Sequence, residues 1–247
     1  MKKIGFIISL AILLGLCFTG CSNTMTNTGD VVYKPSRKIE YIQYKDQAPS
    51  TIEYSYTYDS VGNLLKEESS TGNRIDYTYD SNGKLIKSVS KNPSLGISEE
   101  VTEYSYNNSG LLVEKTYGTV KVTYTYDRNE NCTKEEYFLN GGDVASQIYK
   151  YTYNSNDDVI KRIMEFSNDT ETTEYAYDDN GRVTSSTMTY ISAFGGVTVG
   201  NSTYTYDEYG NLLKIHFSTT SSEGSGALLS KECITEYQDY KPYSLSN

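Results

Sequence analysis

The sequence has no tryptophan, one histidine and four prolines among its 247 residues. A Ser-His-Asp triad would depend on that histidine, His216, and no nucleophile motif lies near it. Basic residues are also scarce, since 22 lysines and arginines stand against 32 acids and give a formal net charge of −10. Nucleic acids and anionic membrane surfaces bind basic patches, so the composition disfavours both partners. We predict a non-enzymatic protein without catalytic residues, cofactor or metal, and a surface position for His216.

Long apolar runs are equally rare, and the one at the N-terminus is short. Lys2 and Lys3 precede an apolar run over 4–16, which is too short to cross a bilayer as a mature helix but suits an export signal. The small residues before Cys21 resemble a bacterial lipobox, although Phe18 stands where leucine is commoner. We predict a lipoprotein signal peptide over 1–20 and lipidation of Cys21. The alternative is an ordinary secretory signal with an incidental cysteine.

The mature chain would keep three cysteines, Cys21, Cys132 and Cys233. The last two lack the paired spacing of a zinc site. In an exported protein they could form a disulfide, whereas the position of Cys132 in the pattern described next also suits a small apolar side chain. The sequence leaves both alternatives open.

Tyrosine, by contrast, is abundant: there are 26, and fourteen of them occur as Tyr-x-Tyr pairs followed by Asp or Asn. The first copy is Tyr56-Thr57-Tyr58-Asp59, and six more follow at a mean spacing of about 25 residues. A large residue alternating with a small one is typical of a strand, and Asp or Asn then opens a turn. A glycine three residues later and an apolar residue two positions after it predict a β-hairpin in every copy.

Two copies depart from this turn pattern. The fourth has Glu130 and the fifth Asp157 where the others have glycine, so we expect these turns to be strained or rebuilt. The acidic pairs 157–158 and 178–179 overlap predicted turns, and no EF-hand pattern surrounds them. Turn formation therefore explains these acids better than calcium binding does.

The hairpin pattern also predicts which residues face each other. We expect Tyr58 opposite Leu64 and Tyr56 opposite Lys66, with a one-residue slip exchanging the two faces. Tyr79 and Tyr106 would then lie among leucines and act structurally. The row that shares its neighbours with lysine would be open to solvent and form a candidate binding face, composed of Tyr56, Tyr77 and Tyr104.

The segments Tyr58-Asp59-Ser60-Val61-Gly62-Asn63-Leu64 and Tyr177-Asp178-Asp179-Asn180-Gly181-Arg182-Val183 resemble the YD repeat of the rearrangement-hotspot (Rhs) family. The resemblance covers about residues 52–217. Large members wind β-hairpin strips into a hollow shell around a toxin domain, and some repeats are linked to carbohydrate binding and cell-surface contact. Seven copies look too few to enclose a cargo. The resemblance therefore implies the fold and a surface location.

Together these observations predict an all-β protein: a repetitive antiparallel hairpin meander that forms one long curved sheet over residues 39–243, after a polar tether over 21–38. We expect a lipid-anchored, extracytoplasmic cell-envelope protein, in the cell membrane or the outer membrane. It would act as a binding, adhesion or structural module toward a glycan or an envelope protein. The alternatives are a glycan-binding module of an uptake system and an accessory of a toxin or secretion system.

Overall fold

The computed structural model describes residues 31–44, 47–221 and 231–244. Cys21, the predicted signal peptide and the first ten residues of the predicted tether lie outside this part of the chain. Sixteen strands follow one another: β1 (Val31–Tyr44), β2 (Ser50–Tyr58), β3 (Leu64–Ser69), β4 (Arg74–Tyr79), β5 (Leu85–Asn92), β6 (Ile97–Tyr106), β7 (Leu112–Tyr117), β8 (Val120–Tyr126), β9 (Cys132–Leu139), β10 (Gln147–Tyr153), β11 (Val159–Phe166), β12 (Asp169–Tyr177), β13 (Val183–Ile191), β14 (Val197–Tyr206), β15 (Leu212–Ser221) and β16 (Lys231–Ser244). A 3-10 turn at Pro93–Leu95 joins β5 to β6. Among the described residues, no helix is long and apolar enough to cross a membrane.

The sheet is closed rather than open, which corrects the predicted long curved sheet. Each strand pairs antiparallel with its neighbours in sequence, and β16 pairs with β1. Their pairing runs from Val31 opposite Ser244 to Tyr44 opposite Lys231. Residues 31–38, which the sequence analysis assigned to the tether, form the first half of β1. This extension lets the two terminal strands bond along their whole length, so neither is left as an exposed edge.

Each predicted hairpin turn is closed by its Asp or Asn. The backbone N–H of Asp59 donates to the carbonyl of Asn63 at 2.9 Å, and the Gly62 N–H donates to the Asp59 carbonyl at 3.2 Å. The Asp59 Oδ1 atom accepts from the N–H groups of Val61 and Asn63 at 3.0 and 2.8 Å. These bonds hold the turn, and Gly62 adopts the left-handed φ of 88° that they require.

The two turns without glycine keep this shape, so they are strained and not rebuilt. Glu130 and Asp157 have φ of 66° and 61°. The Glu130 N–H donates to the Asp127 carbonyl at 3.1 Å, as Gly62 does to Asp59. The neighbouring turns are also joined, since Asn131 Nδ2 donates to Asp157 Oδ1 at 2.6 Å.

A β-bulge after each Asp or Asn turn of the repeats shifts the predicted register. Tyr58 lies opposite Leu64 as expected, but Thr57 pairs with Lys66 and Tyr56 with Glu67, because Leu65 is an extra residue. The predicted pairing of Tyr56 with Lys66 is therefore wrong. The same shift occurs in all seven repeat hairpins. One added residue moves the lysines onto the face of the threonines, away from the tyrosines.

The tyrosine face lines the inside of the barrel. Tyr56 and Tyr58 are partly covered while Thr57 between them is exposed, and this alternation recurs along the repeats. A circular barrel of sixteen strands is too wide for side chains to fill. The buried apolar side chains in the described part are accordingly few and spread along the strands: Ile39, Val122, Tyr149, Met164, Met188, Ile215 and Phe217. Most of the buried side chains, such as Val122, Met164 and Phe217, lie on the same inner face as the tyrosines.

Candidate functional site: the tyrosine-lined inner wall

In six of the seven Tyr-x-Tyr pairs, the second tyrosine bonds the backbone of the preceding hairpin. Tyr79 Oη donates to the carbonyl oxygen of Leu64 at 2.9 Å, and Tyr106 Oη donates to that of Leu85 at 2.8 Å. The acceptor is always the first residue after the preceding turn, at the position that the sequence analysis identified as apolar. The series continues with Tyr126 to Leu112, Tyr153 to Cys132, Tyr177 to Val159 and Tyr206 to Val183.

Two further bonds of this kind lie beside the β1–β16 pairing. Tyr58 Oη donates to the carbonyl of Pro35 at 2.9 Å, and Tyr240 Oη donates to that of Leu212. Tyr240 could not be predicted from the sequence, because no Tyr-x-Tyr-Asp motif marks it. The second-position tyrosines thus serve the fold around the whole barrel, as predicted for Tyr79 and Tyr106.

The first tyrosine of each pair lies deeper on the same inner wall. The bulge places a different residue opposite each one: Glu67 opposite Tyr56, Ser88 opposite Tyr77 and Lys115 opposite Tyr104 in the first three repeats. The later repeats place Glu135, Arg162, Ser186 and Ile215 opposite Tyr124, Tyr151, Tyr175 and Tyr204. All seven first-position tyrosines stay partly exposed. They form an aromatic row whose partner changes from repeat to repeat.

The predicted binding residues Tyr56, Tyr77 and Tyr104 therefore line the inside of the barrel. Their predicted lysine neighbours lie on the outer face, where Lys66 pairs with Thr57 and Lys87 with Thr78. Tyr104 instead lies near Ser88, with 3.2 Å between the two hydroxyl oxygens. Any ligand of this row has to enter the barrel.

The wall between β9 and β12 carries a network of charged groups and phenols. Glu135 accepts hydrogen bonds from Tyr151 at 2.7 Å and from Tyr137 at 3.3 Å. Arg162 donates to Glu171 at 2.6 Å, and its guanidinium lies 5.7 Å from the ring centre of Tyr149. Burial raises the pKa of Tyr151 well above its usual range, and Glu135 adds to the effect. The phenols therefore stay protonated and act as hydrogen-bond donors.

The other residues to which the sequence drew attention are His216, the two cysteines and the acidic turn residues. His216 Nε2 lies 2.6 Å from Glu232 Oε1, on the face opposite the tyrosines. Cys132 and Cys233 lie on β9 and β16 and are not joined in a disulfide. Asp178 Oδ1 accepts from the N–H groups of Asn180 and Arg182 at 2.9 Å each, which is the predicted turn role. Within the described ranges, no group of three or more His, Cys, Asp or Glu side chains is placed to hold a metal ion.

The hairpin geometry agrees with what family comparison finds. Residues 49–93, which span β2 to β5 with both of their turns, match the family model named RHS Repeat. This stretch is similar to an RHS repeat. The predicted resemblance to the Rhs family is thereby confirmed for these residues. No curated protein matches the sequence.

Among solved structures, a porin-like protein from Bacteroides uniformis has a similar fold. Its TM-score is 0.55 at 13% identity, and the match covers 84% of this chain and 97% of that one. Two structures of Tc toxin proteins match at lower scores. The Photorhabdus luminescens Tc holotoxin pore has a TM-score of 0.37 at 23% identity over 68% of this chain, and the TcdB2-TccC3 structure 0.35 at 19% over 78%. This chain covers only 9% and 11% of those two chains.

Proposed function

We propose that this protein is a non-enzymatic binding module, built of RHS-repeat hairpins and held at the cell envelope by a lipid on Cys21. The proposed binding role rests on one observation, namely that the two tyrosine rows make different contacts. Both rows are partly exposed on the inner wall, but the second-position tyrosines bond the backbone of the preceding hairpin, whereas the first-position tyrosines face a side chain that changes from repeat to repeat. Such rings can pack against a ligand while their hydroxyls form hydrogen bonds.

A glycan suits this wall as a ligand, and an envelope protein is the second candidate. Tyrosine faces pack on the apolar faces of sugar rings, and the carboxylates and hydroxyls of the wall can bond sugar hydroxyls. The formal net charge of −10 disfavours nucleic acid as a partner, because nucleic acids bind basic patches. A glycan array and a pull-down from envelope extract separate the two candidates.

Variants of the inner wall test whether either partner uses it. Tyr77→Ala and Tyr104→Ala should weaken binding while the barrel stays folded. Thr78→Ala is the matched control, because Thr78 is exposed on the outer face between Tyr77 and Tyr79. Binding that survives both tyrosine changes, or that falls equally in the threonine variant, would contradict an inner-wall site and favour a purely structural module.

The anchor rests on sequence alone and has its own test. Cys21 follows small residues at the end of an apolar run and opens a polar segment, as the lipidated cysteine of a lipoprotein does. Palmitate should label the wild-type protein in the membrane fraction. Cys21→Ser should abolish both the label and the membrane association, whereas label on the serine variant would refute the anchor.

A further inference from the structure

One sector of the inner wall, beside the pairing of β1 with β16, combines a lysine, two carboxylates and three tyrosines. Lys38 and Glu40 project from β1, with Tyr54 and Tyr237 opposite Lys38 on its two sides. The bulge places Glu67 of β3 next to them, opposite Tyr56. We call these six residues the seam sector: Lys38, Glu40, Tyr54, Tyr56, Glu67 and Tyr237.

The seam sector already contains one ammonium group of the protein itself, that of Lys38. Lys38 Nζ lies 3.0 Å from Glu40 Oε1 and 3.8 Å from the centre of the Tyr54 ring. Tyr54 Oη also donates to Glu40 Oε2 at 3.2 Å, which fixes the carboxylate. A carboxylate and an aromatic face are the two groups that recognise alkylammonium ions. The wall therefore already binds one ammonium group, that of Lys38, through a carboxylate and an aromatic ring.

Glu67 is the second carboxylate of this sector, and within the described ranges it has neither a hydrogen bond nor an ion pair. Three other carboxylates of the inner wall do have such partners: two phenols donate to Glu135, Arg162 donates to Glu171 and Tyr190 donates to Asp169. Burial raises the pKa of Glu67 above its ordinary value, Lys38 opposes that rise, and Glu40 adds to it. Two carboxylates thus share one lysine, and Glu67 is left with no partner of its own.

Glu67 is also surrounded by the same kind of ring that covers Lys38. Tyr56 lies directly opposite it, and the pKa of Tyr237 is raised by burial first and also by nearby groups that include Glu67. Burial raises the pKa of Tyr56, with Glu67 as the next cause, so this phenol stays neutral beside the carboxylate. An exposed glutamate would be satisfied by water, but this one is partly buried among aromatic rings.

We propose that Glu67, with Tyr56 and Tyr237, binds an alkylammonium group of a ligand beside Lys38. The inference rests on the proposed binding function and adds the ligand's chemical class. The ammonium would occupy the position next to Glu67 that matches Lys38 next to Glu40. It can come from a free polyamine or from a lysine side chain of a peptide, and both carry the same recognised group.

Calorimetric titration of the full-length protein tests this site with defined probes. We expect saturable binding of cadaverine or of the blocked peptide acetyl-Gly-Lys-Gly-amide, and none of 1,5-pentanediol, which has the same length without charge. The more tightly bound probe identifies the source of the amine. If neither amine binds saturably, or if the diol binds equally, the proposal is wrong.

Two glutamates that are neighbours in sequence provide a matched pair of variants. Glu67→Gln should weaken amine binding at least about tenfold, because it removes the charge facing the ligand. Glu68→Gln removes the same charge from the adjacent residue on the opposite face, where Glu68 pairs with Lys66 at 3.0 Å, and should leave binding unchanged. Equal weakening in both variants would show only attraction to an acidic protein and would refute the site.

The pH dependence of the wild-type protein gives a readout that needs no variant. Amine binding should weaken as the pH falls and Glu67 takes up its proton, and an amine affinity that does not change on acidification would refute the role of Glu67.

Different results would refute the ammonium site and the proposed function. Partner binding that depends on Tyr77 and Tyr104 while amines do not bind would refute the seam site alone. Glu67-dependent amine binding without glycan or envelope-protein binding would refute the proposed partners alone.

Discussion

The hydroxyl of Tyr79 donates a 2.9 Å hydrogen bond to the backbone carbonyl of Leu64, fifteen residues earlier and one hairpin away. This bond explains why the repeat needs a tyrosine at its second position and not just an aromatic ring. The side chain packs on the inner wall and also joins consecutive hairpins through the main chain.

Tyr79→Phe should therefore lower stability by about 1 kcal/mol, because it deletes one partly buried hydrogen bond and keeps the ring. Tyr79→Ala should cost about 2–4 kcal/mol, since it also removes the packing of the ring. Urea denaturation followed by circular dichroism measures both values. A Tyr79→Phe protein as stable as the wild type would show that the ring alone holds the hairpins together.

The turn glycines offer a test of conformational strain without steric interference. A Cβ atom added to Gly83 would meet nothing within 4 Å, yet its φ of 78° is unfavourable for a β-branched residue. Gly83→Val should therefore cost about 1–3 kcal/mol from backbone strain. Differential scanning calorimetry should show a lower melting temperature, and an unchanged one would mean that the turn relaxes to another shape.

Glu130 and Asp157 allow the reverse experiment within the same protein. Glu130→Gly should stabilise the barrel by up to about 1 kcal/mol, because Glu130 keeps the left-handed φ of 66°. Asp157→Gly should gain less, because it also removes the 2.6 Å hydrogen bond from Asn131. Denaturant midpoints of the two variants should differ in that order, and equal gains would mean that the bond contributes nothing.

The features of this fold that depend on consecutive residues could be predicted from the sequence. Those that depend on a bulge or on residues far apart in the chain could not. The Tyr-x-Tyr strands, the Asp59 turn and the position of Leu64 opposite Tyr58 depend on a few consecutive residues. The bulge at Leu65 leaves no signal in the residue types, yet it moves Lys66 to the other face and places Glu67 inside. Barrel closure depends on pairs such as Val31 with Ser244, which lie at opposite ends of the chain. The binding-face prediction named tyrosines that do line one surface, but placed that surface on an open sheet.

Gly200 lies where no side chain fits, whereas Gly83 has open space around it and a left-handed backbone. A Cβ atom there would lie 2.7 Å from Cε2 of Phe217 and 3.1 Å from Cε of Met188. Gly200→Ala should therefore cost about 1–3 kcal/mol through overpacking. A double-mutant cycle with Phe217→Leu provides the control, since the smaller side chain should relieve part of the clash. Strictly additive losses in the cycle would show that Phe217 is not the group that alanine displaces.

The final prediction concerns Glu67 and the pH dependence of stability. Its pKa is raised above 4.5 in the folded barrel, chiefly by burial, so the folded state holds this proton more tightly than the unfolded chain does. Its contribution to stability is thus fully present below pH 4.5 and is lost as pH rises through the folded pKa. Glu67→Gln removes the buried charge, so we expect this variant to melt above the wild type at pH 7, with a gap that narrows toward pH 4.

Asp178 provides a control of opposite sign for this experiment. The side chain of Arg182 and the turn N–H groups lower its pKa, so its contribution is present at neutral pH and is lost as pH falls through the folded pKa. Asp178→Asn should therefore melt below the wild type at pH 7 and approach it in acid. A Glu67→Gln protein that melts at or below the wild type at pH 7 would mean that the carboxylate is satisfied within the wall. The expected gain would instead show that an unpartnered glutamate is kept at a cost in stability, as residues that bind ligands often are.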